Sequence, residues 1–64
     1  MKVFIERENA SRVMKFCGSG AELLLFLKQN PESVILVKNG EVVAEDELFS
    51  DGDNVKILSV VSGG

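Results

Sequence analysis

The sequence predicts an α+β fold, a roll in which a mixed sheet of four to five strands is covered on one face by a single helix. Three observations lead there. Apolar residues alternate with polar ones near the start of the chain, one apolar run follows a helix-capping signature, and an Asn-Gly pair marks a tight hairpin. With 64 residues, 45% hydrophobic and 27% charged, the chain has room for one packed core and no second.

Residues 2–7 alternate, with Val3 and Ile5 on one face and Lys2, Phe4 and Glu6 on the other, which predicts a strand. Residues 12–17 read as its hairpin partner, with Met14 and Phe16 inward, after a turn at Glu8-Asn9-Ala10-Ser11. Ser19-Gly20-Ala21-Glu22 is a capping box, so a helix is expected from about Gly20 to Gln29, stopped by Asn30-Pro31. Leu23, Leu24 and Leu27 form its core stripe. Leu25 and Phe26 widen that stripe, and the reading preferred is a deeply seated helix rather than an exposed docking ridge.

Residues 34–38 are nearly all apolar and predict a third strand, returning through Asn39-Gly40 as a fourth over 41–44. The loop from Glu45 to Asn54 holds a helical turn near residues 46–49, with Leu48 or Phe49 tucked beneath it, and a turn at Asp51-Gly52-Asp53. Residues 55–61 form the last strand. The expected organisation is one domain over 1–61 and a tail of Ser62, Gly63 and Gly64.

Composition excludes several kinds of chemistry. The chain has no histidine and one cysteine, so His/Cys zinc sites, an internal disulfide and the usual histidine-dependent triads are ruled out. Catalytic residues: none are predicted, and neither is a metal site. Cys17 is read as a small buried hydrophobe rather than a nucleophile. The Asp51/Asp53 pair lacks the further ligands of a calcium loop and reads as a turn. A net charge of −3 disfavours nucleic acid as a direct partner. Six acids (Glu41, Glu45, Asp46, Glu47, Asp51, Asp53) fall between Lys38 and Lys56, either as a solvated loop or as a steering patch for a basic partner. A lone thiol, no export signal and no membrane-length apolar run lead to an expected cytoplasmic location.

The Gly63-Gly64 end has a different character. It leaves directly from a Val/Ile/Leu-rich strand and ends at a carboxylate, and glycines without Cβ atoms can thread a narrow active site. A carboxylate is a poor acyl donor in water. Another enzyme would have to activate it, for instance as an acyl-adenylate at the expense of ATP.

At this point the sequence resembles the ubiquitin-like β-grasp sulfur carriers, the ThiS/MoaD family. The resemblance rests on Val37-Lys38-Asn39-Gly40-Glu41-Val42-Val43, on Leu48-Phe49-Ser50-Asp51-Gly52-Asp53 and on Val60-Val61-Ser62-Gly63-Gly64, in the family's order and near its spacing. It covers essentially the whole chain. Lys38 departs from the pattern, since thiamin-type carriers more often have an apolar residue there. The short body is also similar to small archaeal ubiquitin-like modifiers.

The resemblance implies a carrier and substrate rather than an enzyme, with a β-grasp fold and no bound cofactor. A ubiquitin-activator-like enzyme would adenylate Gly64 with ATP, and a persulfide or other sulfur donor would convert it to a thiocarboxylate. Sulfur would then pass to thiamin thiazole, molybdopterin or a thiolated tRNA, with Ser62 and Gly63 as the tail that enters each partner. As a modifier, Gly64 would instead form an isopeptide with target lysines. As a plain interaction module, the body would bind partners and the tail would be incidental. Strand alternation also suggests a partner surface on the open sheet face: if Val55 and Ile57 face the helix, Leu58 and Val60 lie opposite, joined by Phe4 and Leu36.

Overall fold

The computed structural model describes residues 1–60. The chain runs β1 (Lys2–Ile5), β2 (Ala10–Val13), β3 (Gly18–Ser19), α1 (Gly20–Phe26), β4 (Val34–Lys38), β5 (Glu41–Val43), β6 (Leu48–Phe49) and β7 (Asn54–Ser59), with 3-10 turns at Glu6–Glu8 and Pro31–Ser33. Five strands form one mixed sheet in the order β2-β1-β7-β4-β5, and β3 pairs with β6 in a separate two-stranded ribbon. β7 lies parallel to β1 and antiparallel to β4, while β2 and β5 are antiparallel edges. One helix on a mixed five-stranded sheet is the α+β, β-grasp arrangement expected.

The first hairpin is tighter than its sequence suggests. Glu6–Glu8 curls into a 3-10 turn that closes on Asn9 in the left-handed region (φ 49°), its amide donating to the Glu6 carbonyl. β2 therefore starts at Ala10. Its register with β1 ends at Val13, opposite Lys2. At that point the Met1 ammonium donates to the Met14 carbonyl at 2.8 Å, and the Met14 amide donates to the Met1 carbonyl at 2.9 Å.

The helix start follows the capping box. Ser19 Oγ accepts from the Glu22 amide, and Glu22 Oε1 accepts from the Ser19 amide. Its other early amides are taken by the chain segment ahead of β6: Gly20 N–H donates to the Glu47 carbonyl and Ala21 N–H to the Glu45 carbonyl. The helix ends three residues before Gln29. Lys28 turns into the left-handed region (φ 58°), with its amide on Leu25 and the Gln29 amide on Leu24. That pair of bonds is a Schellman stop with lysine where glycine is usual.

The core comprises Met1, Val3, Ile5, Leu23, Leu24, Leu27, Leu36, Phe49, Val55 and Ile57, edged by Met14, Phe16, Val34 and Val43. Leu25 and Phe26 are 77% and 64% exposed, so the helix is not deeply seated. Helix geometry explains this. At about 100° per residue, Leu25 falls roughly opposite the Leu23/Leu24/Leu27 stripe. Phe26 is left to lean on Phe16, ring centroids 6.1 Å apart. Phe49 is the residue tucked under the 45–54 loop, by pairing in β6 rather than through a helical turn, and Leu48 stays exposed. Cys17 is exposed rather than buried.

Gly20 marks the tightest junction of helix and sheet. A Cβ there would lie 2.6 Å from Leu36 Cδ1 and 3.1 Å from both the Glu45 carbonyl oxygen and the Phe49 ring. Leu36 can swing, but the backbone oxygen cannot without moving the turn that caps the helix. Gly20→Ala should therefore lower stability by about 1–3 kcal/mol despite alanine's better helix propensity. Urea denaturation would check this, and an unchanged or raised midpoint would show that the junction has slack.

Candidate functional site

The candidate site has two parts: the platform from which the C-terminal tail leaves, and the sheet face beside it. β7 supplies both. Its alternation places Val55 and Ile57 in the core and turns Asn54, Lys56 and Leu58 toward the open face. Its last amides are tied down. Ser59 N–H donates to Glu6 Oε1 at 2.8 Å, and Val60 N–H donates to the Ser33 carbonyl at 2.9 Å. The chain is thus held as far as Val60. Val61, Ser62, Gly63 and Gly64, including the expected acyl site, lie outside the described residues.

Cross-strand register assigns the rest of the open face. Phe4 is opposite Lys56, Leu58 opposite Ile35, and Val37 opposite both Lys56 and Val42. Phe4 and Leu58 are half-buried there, and Val60, just past the strand, is 44% exposed. Leu36 does not belong to this face. It sits opposite Ile57, faces the helix and is 4% exposed, because cross-strand partners point the same way and Ile57 is in the core. Ile35 and Val37 take the positions expected of Leu36. In Val34-Ile35-Leu36-Val37 every residue is apolar, so no polar marker reveals which parity faces inward.

At the far end of the sheet, the Asn39-Gly40 turn and the Asp51-Gly52-Asp53 turn are bound to each other. Asn39 and Gly40 both have positive φ (50° and 86°), as a type I′ hairpin requires. The Asn39 amide donates to the Asn54 carbonyl (2.8 Å), its side-chain Oδ1 accepts from the Asn54 amide (2.9 Å), and its Nδ2 donates to Asp53 Oδ1 (3.0 Å). Asp53 Oδ2 accepts from the Ser50 amide at 2.8 Å, closing its own turn. Asp51 Oδ1 accepts from the Phe16 amide, also at 2.8 Å, tying that turn to the segment before β3. Both aspartates are turn-builders.

Lys38, the departure from the expected pattern, has a place in this scaffold. Its ammonium donates to the Leu48 carbonyl (2.7 Å) and Glu47 Oε2 (3.1 Å) and lies 5.5 Å from the centroid of the Phe49 ring. It clamps β6 against the hairpin and stacks on the buried aromatic. Glu47 is thereby partnered, so it does not serve as a free steering charge.

The ThiS family model matches residues 5–64. That span takes in the hairpin, both bonded turns, the whole of β7 and the final Ser62-Gly63-Gly64. The chain belongs to the ThiS family. Members of the ThiS family are small ubiquitin-like sulfur-carrier proteins rather than enzymes, and the β-grasp body described above is in keeping with that membership. Among the described residues, no helix is long and apolar enough to cross a membrane.

The bonded turns also titrate. The Ser50 amide, then the Asn39 side chain, and more weakly Lys38, favour the charged form of Asp53 and hold its carboxyl below the ordinary aspartate value. A depressed native value contributes stability that is present above the unfolded value, near about 3.9, and lost as pH falls through the lower native one. Asp53→Asn removes that dependence. Its urea midpoint should fall less steeply than the parent's between about pH 4 and about pH 2, and parallel acid limbs would show that Asp53 titrates normally.

Proposed function

We propose that this chain is a sulfur carrier whose Gly64 carboxylate is activated by a ubiquitin-activator-like adenylating enzyme. The observation that carries the reading is the ThiS family match over residues 5–64, which runs through Ser62, Gly63 and Gly64. The carboxylate oxygen attacks the α-phosphorus of ATP and pyrophosphate leaves, giving the acyl-adenylate. A sulfur nucleophile then attacks the acyl carbon and AMP leaves. Hydrosulfide yields the thiocarboxylate directly, whereas a persulfide yields an acyl disulfide that a thiol must cleave. ATP is consumed on the partner, and the carrier holds no cofactor of its own.

The division of labour is physical. The ties of Ser59 and Val60 fix the base of the tail, so a partner gripping the body knows where the tail begins. Glycines at 63 and 64 add no side chain to the acyl end. On this reading the open face, with Phe4, Ile35, Leu58 and Val60, is the grip.

Incubation with host extract, ATP and a sulfur source should add about 16 Da to the intact mass, one oxygen exchanged for sulfur, mapping to Gly64. A ladder of lysine adducts instead would mark a protein modifier. An unchanged mass would overturn both covalent readings. Leu58→Asp, placing a charge in the half-buried part of the grip, should cut adenylation at least tenfold while the amide spectrum stays folded. Full activity in that variant would remove Leu58 from the grip.

A further inference from the structure

Charge on the open sheet face is segregated. The register places Val13, Ser11, Lys2, Phe4, Asn54, Lys56, Leu58, Ile35, Val37 and Val42 on that face, and only Lys2 and Lys56 among them are charged. Both are exposed, and both are unpaired among the described residues, where the ion pairs are Arg12–Glu8 and Lys38–Glu47. Glu6, just past β1, accepts from the Ser59 amide and forms no ion pair with either lysine. In a chain of net charge −3, two cations share one apolar face with no carboxylate paired to either among the described residues.

The two lysines also shape a cavity. Phe4 has Lys2 two residues along its own strand and Lys56 directly across from it. Lys2, Phe4, Asn54, Val55 and Lys56 line a depression of about 160 Å³. At about 30 Å³ per water, that is roughly five waters, enough for one branched aliphatic side chain. Phe4 is its one apolar side chain, since Val55 turns its own into the core, and the two lysines make its rim cationic.

We infer that this depression receives a projecting apolar side chain of the adenylating partner, flanked by two carboxylates that pair with Lys2 and Lys56. The charge pattern selects that chemistry. An uncharged apolar surface would leave two lysine ammoniums to be desolvated unpaired, and a basic one would be repelled. The acidic turn at Glu45 and Asp46 belongs to the capping segment of the helix, away from these strands, so the protein's overall negative charge does not describe its docking face. Naming the adenylating enzyme as the occupant rests on the sulfur-carrier reading. The acid-rimmed apolar chemistry does not.

The test has two independent arms. In ATP–pyrophosphate exchange with the host's purified adenylating enzyme, the double variant Lys2→Glu/Lys56→Glu should raise KM for the carrier about tenfold or more with kcat unchanged. The glutamine pair should fall between, and the gap should narrow in about 0.5 M salt. Equal KM values for all three overturn the inference while leaving the sulfur-carrier reading intact. If the parent supports no exchange, that reading fails, and the depression is judged alone. The ¹⁵N-labelled protein is then titrated with acetyl-Glu-Leu-Glu-amide. Saturable shifts confined to residues 2–4 and 54–58 and abolished by salt are expected, and their absence overturns the inference.

Discussion

The pairing of β7 on both sides is the constraint on which this molecule depends. The β1–β2 hairpin and the β4–β5 hairpin have no contact as neighbouring strands, and they become one sheet only because β7 lies between them. Along one edge it is parallel to β1, with Val55 beside Val3 and Ile57 beside Ile5. Along the other it is antiparallel to β4, with Ile57 beside Leu36. Those five residues are core members, so backbone pairing and apolar burial reinforce each other at the same positions. The helix then closes over a floor that β7 has already assembled.

That arrangement explains why the polar interactions concentrate at the two ends of β7. At its start, Asn39 and Asp53 join the tip of the β4–β5 hairpin to the turn that feeds the strand. At its finish, Glu6 and Ser33 accept the last described amides. A central strand has its ladder satisfied on both sides, and what remains is to stop its ends from fraying. The structure does this with side chains from the two elements it bridges. The segment that the sulfur-carrier proposal makes reactive therefore follows in sequence from a strand tied at both ends.

Much of this was legible, and the illegible parts have physical causes. Asn39-Gly40 fixed the register of its hairpin because few pairs tolerate two positive φ angles, and Ser19-Gly20-Ala21-Glu22 located the helix start to the residue. The helix end was less clear. A lysine at a left-handed stop has no sequence signature, and the expected boundary ran on to Gln29. β3 and β6 have two residues each, too short for any periodicity to appear. The open face was half visible. β7 carries Asn54 and Lys56 as polar markers of its outer side, whereas the one polar residue of β4, Lys38, lies on the helix side opposite Val55, and so the parity of Leu36 was misread. The cationic character of that face was invisible too, since Lys2 and Lys56 are far apart in sequence and meet only through the parallel β1–β7 register.

The central strand is also the last strand of the domain to be synthesised. As the chain emerges from the ribosome, both hairpins and the helix can form locally, but the sheet cannot close until residues 54–59 arrive to pair with residues 2–5. Such distant pairing makes folding a late event in the life of the nascent chain. Residues 62–64, the tail in the sulfur-carrier proposal, come only a few positions after β7 in the sequence. A carrier truncated before its tail would in most cases also lack the strand that completes its body, and would have no assembled sheet to offer a partner. Loss of residues 54–59 thus costs the sheet as well as everything that follows it.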